Sequence, residues 1–258
     1  MDEDFEAVDM DELDPYLYLR LLAENPANAD QSVVWHIADI VNGGWLAADD
    51  VYAGVRSEDR ILVVTEGSSD MAILRKALPL VAPDIADFFY FVDMDRGYPF
   101  TGTGNVYRFC QGLARIQIQN RMLVVLDNDA AGCETYQRLA CLGLPTNMHV
   151  TKLPDLRECG SLRTLGPSGE AYLDVNGCAV SIEMFLDLAR DVDGEPTVQW
   201  TGYNEGLRRW QGQLVGKSGI AKAFLRGRDC APDYALDNLR AVWDSLYAAC
   251  TGEVLGLE

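Results

Sequence analysis

Acidic side chains follow two apolar runs of this chain, and their types and spacing point more directly to chemistry than any other residues. Each run has the length and β-branched content of a strand buried on both faces, and small residues and carboxylates come next. Parallel strands end at one edge of an open sheet, so these side chains are expected to converge. The four carboxylates are Glu66 and Asp70 in Glu-Gly-Ser-Ser-Asp, and Asp127 and Asp129 in Asp-Asn-Asp-Ala-Ala-Gly.

Four carboxylates at one edge of a sheet repel one another unless a positive charge lies between them. Their oxygen atoms are ligands for hard divalent cations, so the two motifs predict a site for Mg²⁺ or Mn²⁺. Zinc is not favoured, because the chain has 2 histidines and 7 scattered cysteines without a Cys-x-x-Cys pair. The dispersed cysteines also lead us to expect free thiols and a cytoplasmic location.

Local geometry separates the roles of the residues in each motif. Gly67 permits a sharp exit from the first strand. Asp70 then falls in the first turn of the next helix, where its alternative role is that of a capping charge. Asp127 and Asp129 are two residues apart, so both point to one side of an extended backbone while Asn128 points to the other.

The order of elements from residue 60 onward is that of a parallel α/β sheet. Apolar runs alternate with helix-like segments, which implies right-handed crossovers with helices on both faces. We predict strands at 60–65, 88–93, 122–126 and 147–151, and helices at 69–79, 104–119 and 130–142.

Helical segments are predicted on both sides of this core. Residues 15–55 carry apolar residues at helical spacing. This region is too small to fold around its own core, so we expect it to pack on the α/β core or on a segment of a longer parent protein. Beyond the core, residues 155–180 contain many glycines and are predicted to form loops. Further helices are predicted at 181–190, at 204–226 with interruptions, and at 232–250.

The charge of the chain is unevenly distributed, although the formal net charge of −19 would by itself oppose binding to nucleic acid. Residues 1–60 hold 15 Asp/Glu against 3 Lys/Arg, whereas most of the charged residues in the segment 200–230 are basic. A local basic surface matters more for phosphate binding than the sum over the chain. Arg208, Arg209 and Lys222 are therefore candidates for nucleic-acid binding, with an ordinary solvated face as the alternative.

The pattern Glu-Gly-x-x-Asp after one strand and Asp-x-Asp-x-x-Gly after another resembles the toprim domain, over residues 58–152. Toprim domains occur in topoisomerases, bacterial primases, RNA-maturation nucleases and nucleases of the overcoming-lysogenization-defect (OLD) type. The resemblance implies a Rossmann-like fold with Asp127, Asp129 and Glu66 as metal ligands. For Glu66 it also implies an alternative role as general acid or base. A flavodoxin-like domain with acidic loops is the alternative fold.

Two further elements resemble the OLD-type nucleases. Ser181-Ile182-Glu183 is similar to the Ser-x-Glu element that completes their second metal site, although Ser181 would also suit a helix N-cap. Lys217 resembles the lysine that these nucleases place near the scissile phosphate, where it would neutralise developing negative charge, and Lys222 is the alternative. The chain departs from the OLD pattern in having no Walker A motif, so we expect no integral ATPase.

These features together predict a divalent-metal-dependent nuclease of toprim type. Residues 1–57 would form a helical N-terminal segment, and residues 153–258 a loop and helical extension that completes the site. A helical region before a toprim core is similar to bacterial proteins in which a HEPN-type region precedes toprim, and such proteins are often associated with phage defence. The chain has no Arg-x4-6-His motif of HEPN ribonucleases, so HEPN activity is not expected.

The expected partner is nucleic acid, with DNA in preference to RNA. No membrane association is expected, because no stretch approaches the roughly 20 apolar residues of a membrane span. The alternative from a different class is a non-catalytic toprim module that binds a partner protein or a phosphate ligand. Clustered carboxylates argue against it, because a scaffold gains nothing from them. A homo-oligomer, a partner protein and a missing N-terminal region stay open.

Overall fold

The computed structural model describes residues 15–28, 31, 41–45, 47, 60–91, 102–192, 194–227 and 234–251. The chain divides into two compact units, Met1–Gly54 and Val55–Glu258. The first unit contains helix α1 (Pro15–Ala23) and a short 3-10 turn (Pro26–Asn28). Most of the helical segment predicted beyond this turn lies outside the described residues.

A four-stranded parallel sheet forms the centre of the second unit, in the order β2-β1-β3-β5. The two middle strands are almost fully buried, which is why they appear in the sequence as continuous apolar runs. The predicted parallel sheet is confirmed, within a few residues at each strand end. Its strands are β1 (Ile61–Thr65), β2 (Phe89–Phe91), β3 (Met122–Leu126) and β5 (Met148–Lys152).

Helices cover both faces of this sheet. Helices α2 and α7 contact each other and the sheet, and helix α4 contacts helix α3 and strands β3 and β5. Trp243 of α7 is fully buried, and its ring lies edge-on to Phe89 at 5.1 Å between centroids. The helices have the bounds α2 (Ser68–Val81), α3 (Thr103–Arg115), α4 (Ala130–Ala140) and α7 (Asp237–Thr251).

The C-terminal extension is partly a second sheet, in the order β10-β9-β6-β7, and is not only loop and helix. The predicted helix over 204–226 is wrong in its first half, because β9 and β10 form an antiparallel hairpin there. β-Branched and aromatic residues favour a strand over β9, whereas β10 has Trp210 alone of these residue types. The strands are β6 (Leu162–Gly166), β7 (Gly169–Leu173), β9 (Thr197–Asn204) and β10 (Arg209–Leu214).

The helical half of the prediction holds at α6 (Lys217–Arg226), and the final predicted helix is α7. The helix predicted at 181–190 is broken into a 3-10 helix (Ile182–Phe185) and a short helix α5 (Leu188–Asp191).

A short strand pair joins the extension to the end of the parallel sheet. β3 continues into β4 (Asn128–Asp129), which pairs antiparallel with β8 (Ala179–Val180). The 3-10 helix that carries Glu183 follows β8 directly. This pairing therefore brings the segment around residue 183 to the edge where β1 and β3 end.

Candidate metal centre

Glu66 and Asp127 follow the two central strands of the parallel sheet and lie side by side. β1 and β3 are paired neighbours, with Thr65 opposite Val125. The Oε1 atom of Glu66 accepts a hydrogen bond from the backbone N–H of Asp127 at 2.9 Å. The two acidic motifs are thus joined directly at one edge of the sheet.

The first turn of helix α4 packs closely against this pair. A Cβ atom at Gly132 would lie 2.1 Å from the carbonyl oxygen of Asp127 and 3.0 Å from Glu66 Oε1. The nearer contact is with backbone and cannot be relieved by a side-chain rotation, so this position requires glycine. The glycine of Asp-x-Asp-x-x-Gly therefore allows the helix to approach the strand ends.

Asp70 is held in the first turn of helix α2. Its Oδ2 atom accepts the backbone N–H of Gly67 at 2.9 Å, and its Oδ1 atom accepts the hydroxyl of Ser69 at 3.2 Å. The first of these bonds is the capping interaction considered as the alternative role of Asp70. The same bonds fix the carboxylate near Glu183, whose charge acts on it.

Asp129 is anchored by two elements at once. Its Oδ1 atom accepts the N–H of Gly132 at 2.7 Å, so it is the N-cap of helix α4. Its Oδ2 atom accepts the side-chain amide of Gln211 at 2.5 Å, and Gln211 Oε1 accepts the N–H of Ala131 at 2.9 Å. Sequence reasoning missed Gln211, because it lies in a segment predicted to be helical.

Glu183 is almost completely buried, with 2% of the residue exposed. Its Oε2 atom accepts the hydroxyl of Ser181 at 2.7 Å. The Ser181 side chain makes no capping bond to the following 3-10 helix, so its contact with Glu183 replaces the N-cap role considered as the alternative. The charge of Glu183 acts on both Asp70 and Asp127.

Lys217 begins helix α6 and is the lysine whose charge reaches the carboxylates. Its positive charge favours the ionised forms of Glu66 and Asp70. The far end of α6 is tied to α2, because Lys76 of α2 donates to the carbonyl oxygens of Phe224 and Gly227. These two hydrogen bonds hold helix α6, which carries Lys217, against helix α2, which carries Asp70.

Burial is the largest cause of the raised pKa values at the site, and neighbouring carboxylates add to it. The pKa of Glu66 is raised to about 8 by burial and then by Asp129. The pKa of Asp70 is raised to about 6 by burial and then by Glu183. Burial, followed by Asp70 and Glu66, raises the pKa of Asp127 well above its usual range. Protons therefore replace a counter-charge when no cation is bound.

The chemistry of this donor set fits a hard divalent cation. The donors of all five side chains are carboxylate oxygens, and no cysteine or histidine takes part in the contacts above. Such an oxygen donor set suits Mg²⁺ or Mn²⁺ and not zinc. Within the described residues, however, no three His, Cys, Asp or Glu side chains are already arranged around a single point. A bound ion would therefore have to draw the carboxylates closer together.

The side chain of Asn128 points away from the carboxylates, as the alternation along an extended backbone predicts. Its Nδ2 atom donates to Asp155 Oδ1 at 2.7 Å, and its Oδ1 atom accepts Lys152 Nζ at 2.9 Å. Arg209 lies on this side as well, over Gly177. These residues border a cavity of about 640 Å³ that does not include the acidic side chains of the candidate metal centre.

The three predicted nucleic-acid-binding residues do not form a single patch. Arg208 is exposed at the turn between β9 and β10, whereas Arg209 borders the cavity beside Asn128. Lys222 is exposed on α6, and no bond to the carboxylates is seen. The structure thus brings the five carboxylates and Lys217 together, and it separates Arg209 from them.

The fold is the α/β architecture of a Rossmann-like toprim domain, with acidic residues at the carboxyl edge of its sheet. Residues 2–59 match the family model of the HEPN/Toprim N-terminal domain 1, which supports a HEPN/toprim-associated protein. No curated protein and no solved structure matches the chain. In the part of the chain that the structure describes, no helix combines the length and apolar composition of a membrane span.

Proposed function

We propose that this protein is a nuclease that hydrolyses phosphodiester bonds with the help of Mg²⁺ or Mn²⁺. The observation that carries the proposal is that Glu66 is bonded to the backbone of Asp127 at the carboxyl edge of the parallel sheet, with the other carboxylates within electrostatic reach of this pair. Bringing like charges together costs free energy, and such clusters are typical of functional sites. The five carboxylates are Glu66, Asp70, Asp127, Asp129 and Glu183.

Asp127, Asp129 and Glu66 would hold one cation, and Asp70 with Glu183 would hold or orient a second. When bound, two such ions activate a water molecule and stabilise the leaving oxygen of a phosphodiester. The protein contributes the orientation of the ligands: Ser181 holds Glu183 by a 2.7 Å hydrogen bond, and Gln211 holds Asp129.

Glu66 and Lys217 have chemistry suited to this reaction beyond the binding of metal. Glu66 is the candidate general acid or base in the alternative where it does not bind the ion, because burial and then Asp129 raise its pKa to about 8 in the metal-free protein. Lys217 would neutralise the negative charge that develops on the phosphate, since its charge already acts on Glu66 and Asp70. Together with Ser181 and Glu183, this lysine supports OLD-type nuclease chemistry as the finer assignment.

The proposed substrate is DNA in preference to RNA, with Arg208, Arg209 and Lys222 as phosphate-binding residues. A role in phage defence is proposed by analogy with bacterial proteins that join a HEPN-type region to toprim. A cytoplasmic location is in keeping with the six described cysteines, all of which are free thiols.

A plasmid-cleavage assay tests the proposal. Purified protein with Mn²⁺ should nick supercoiled plasmid or degrade single strands, and Asp127→Asn should lower the rate at least ~100-fold by removing a metal ligand. Lys152→Met, on the opposite side of β4, is the matched control and should retain the activity. Wild-type activity in Asp127→Asn would rule out this mechanism. Inactive wild-type protein would favour the partner-binding module instead.

A further inference from the structure

The outer face of the β9–β10 hairpin carries an exposed pair of aromatic side chains. Tyr203 and Trp210 lie directly opposite each other in the strand register, with ring centroids 5.4 Å apart and an interplanar angle of 76°. They are 52% and 45% exposed, and no hydrogen bond of either side chain to the described residues is seen. Both side chains therefore present aromatic surface to a ligand.

The third aromatic residue of the hairpin has a supporting role. Trp200 is half-buried, and its ring lies so close to β6 that a Cβ atom at Gly166 would be 2.8 Å from its Cδ1 atom. The ring centroids of Trp200 and Trp210 are 6.4 Å apart. Trp200 therefore backs the exposed pair from the sheet, so the aromatic surface is fixed in place.

The opposite side of the hairpin is bonded to the candidate metal centre. Gln211, the residue after Trp210, donates to Asp129. Near the turn, Asn204 donates to Glu134 Oε2 of helix α4 at 2.7 Å. Trp210 is thus adjacent in the chain to Gln211, which contacts the proposed metal ligand Asp129. A shift of the hairpin would disturb this contact.

The charge of the hairpin turn complements a polyanion. Arg208 is exposed at this turn and forms no ion pair with the described residues, whereas the neighbouring Arg209 borders the cavity beside Asn128. The single acidic residue between 197 and 214 is Glu205, within a chain whose formal net charge is −19. Positive charge that is left free on a strongly acidic protein is suited to a phosphate backbone.

We propose that Tyr203 and Trp210 form a stacking platform for the unpaired bases of single-stranded nucleic acid. Aromatic rings flanked by arginine bind single strands in this way, because every base presents a π-face and the phosphates meet the cation. A paired duplex does not expose these faces along its length. The proposal deepens the proposed function, on which it rests for the class of ligand.

Binding of a labelled 20-nucleotide oligothymidine in EDTA tests the platform without cleavage. Trp210→Ala should weaken binding about tenfold, the change expected from the loss of one base stack. Trp210→Phe should restore most of the affinity, because phenylalanine keeps a stacking face. Tyr90→Ala is the matched control and should bind as the wild type does, since Tyr90 is 55% exposed on β2 outside the hairpin.

An abasic oligonucleotide of the same length and charge separates stacking from phosphate contact and needs no variant. Wild-type protein should bind it about tenfold more weakly than oligothymidine, and Trp210→Ala should bind the two equally. Equal binding of both oligonucleotides by the wild type would overturn the proposal, as would failure of the wild type to bind oligothymidine.

The stacking platform and the proposed catalytic mechanism can fail independently of each other. If Asp127→Asn proves as active as the wild type while Trp210→Ala still loses affinity, the proposed mechanism fails and the platform stands. If Asp127→Asn is inactive while Trp210→Ala binds and cleaves normally, the platform fails and the nuclease stands.

Discussion

The segment Asp127–Asp129 separates two polar regions that differ in how their charges are balanced. On the side of Asp127 and Asp129, carboxylates act on one another, and their mutual repulsion adds to burial in raising the pKa of Asp127. On the side of Asn128, Lys152 donates to Asn128 and forms an ion pair with Asp155 at 3.6 Å. Adjacent residues of one strand thus enter an unbalanced and a balanced environment.

This difference indicates which side binds a ligand. Buried polar groups that find partners within the protein specify and stabilise the fold. Like charges that outnumber the nearby opposite charge destabilise it, even where each carboxylate accepts a hydrogen bond, and they are retained where they serve a function. The carboxylate side therefore has the character of a binding site, and the Asn128 side that of a structural network.

The two lysines on either side of this segment should have opposite roles. Lys217→Ala should lower the rate of single-turnover cleavage about 100-fold at saturating protein, because it removes a charge at the reacting phosphate. Its melting temperature should stay close to that of the wild type. Lys152→Met should instead lose about 1–3 kcal/mol of stability, since Asn128 loses a hydrogen-bond donor, and it should cleave normally. If the cleavage rate of Lys217→Ala recovers fully at saturating protein, Lys217 contributes to substrate binding and not to the chemical step.

Gln211 should act as a positioning residue for Asp129. Gln211→Ala should weaken the apparent affinity for Mn²⁺ in the cleavage assay about tenfold, with the rate restored at high Mn²⁺, because Asp129 loses its orienting donor. Gln213→Ala, an exposed glutamine on the same strand, is the control. A lower melting temperature with unchanged Mn²⁺ affinity would show that Gln211 only supports the fold.

Glu66 should make the stability of the metal-free protein depend on pH. Its pKa is about 8 in the folded state against 4.5 for an ordinary glutamate, so between these values the folded protein keeps a proton that the unfolded chain has released. The stability from this group is complete below about pH 4.5 and is lost as pH rises through 8. The melting temperature of Glu66→Gln should therefore exceed that of the wild type by an amount that grows by a few degrees between pH 5 and pH 9.

The same comparison in saturating Mn²⁺ provides the control. A bound cation replaces the proton, and metal binding strengthens as the carboxylates ionise. The advantage of Glu66→Gln at pH 9 should then disappear or reverse. A difference between the two proteins that is the same at pH 5 and pH 9 without metal would contradict the raised pKa.

The parallel sheet could be predicted from the sequence because its signals are local. Strands β1 and β3 are continuous apolar runs, and the carboxylates that follow them necessarily share an edge. The β9–β10 hairpin could not be predicted in this way. Its strands contain Gly202 and Gly212, which weaken a strand pattern, and β9 is stabilised by parallel pairing with the distant strand β6.

The ligand network of the site was predicted unevenly for the same reason. Glu66, Asp70, Asp127 and Asp129 follow recognisable motifs. Gln211 does not, because its contact with Asp129 depends on the hairpin and on a register shift between Gln211 and Gly212. The surrounding Arg-Trp-Gln-Gly-Gln-Leu segment carries no signal that singles out Gln211, whose role is evident only once the strand itself is identified.

Anomalous diffraction from crystals grown with Mn²⁺ would show whether these carboxylates bind a divalent cation. We expect a strong peak at about 2–2.3 Å from carboxylate oxygens of Asp127, Asp129 and Glu66, with no peak among Lys152, Asn128 and Asp155. Absence of a peak at the carboxylates, at Mn²⁺ concentrations that support cleavage, would contradict the proposed metal centre.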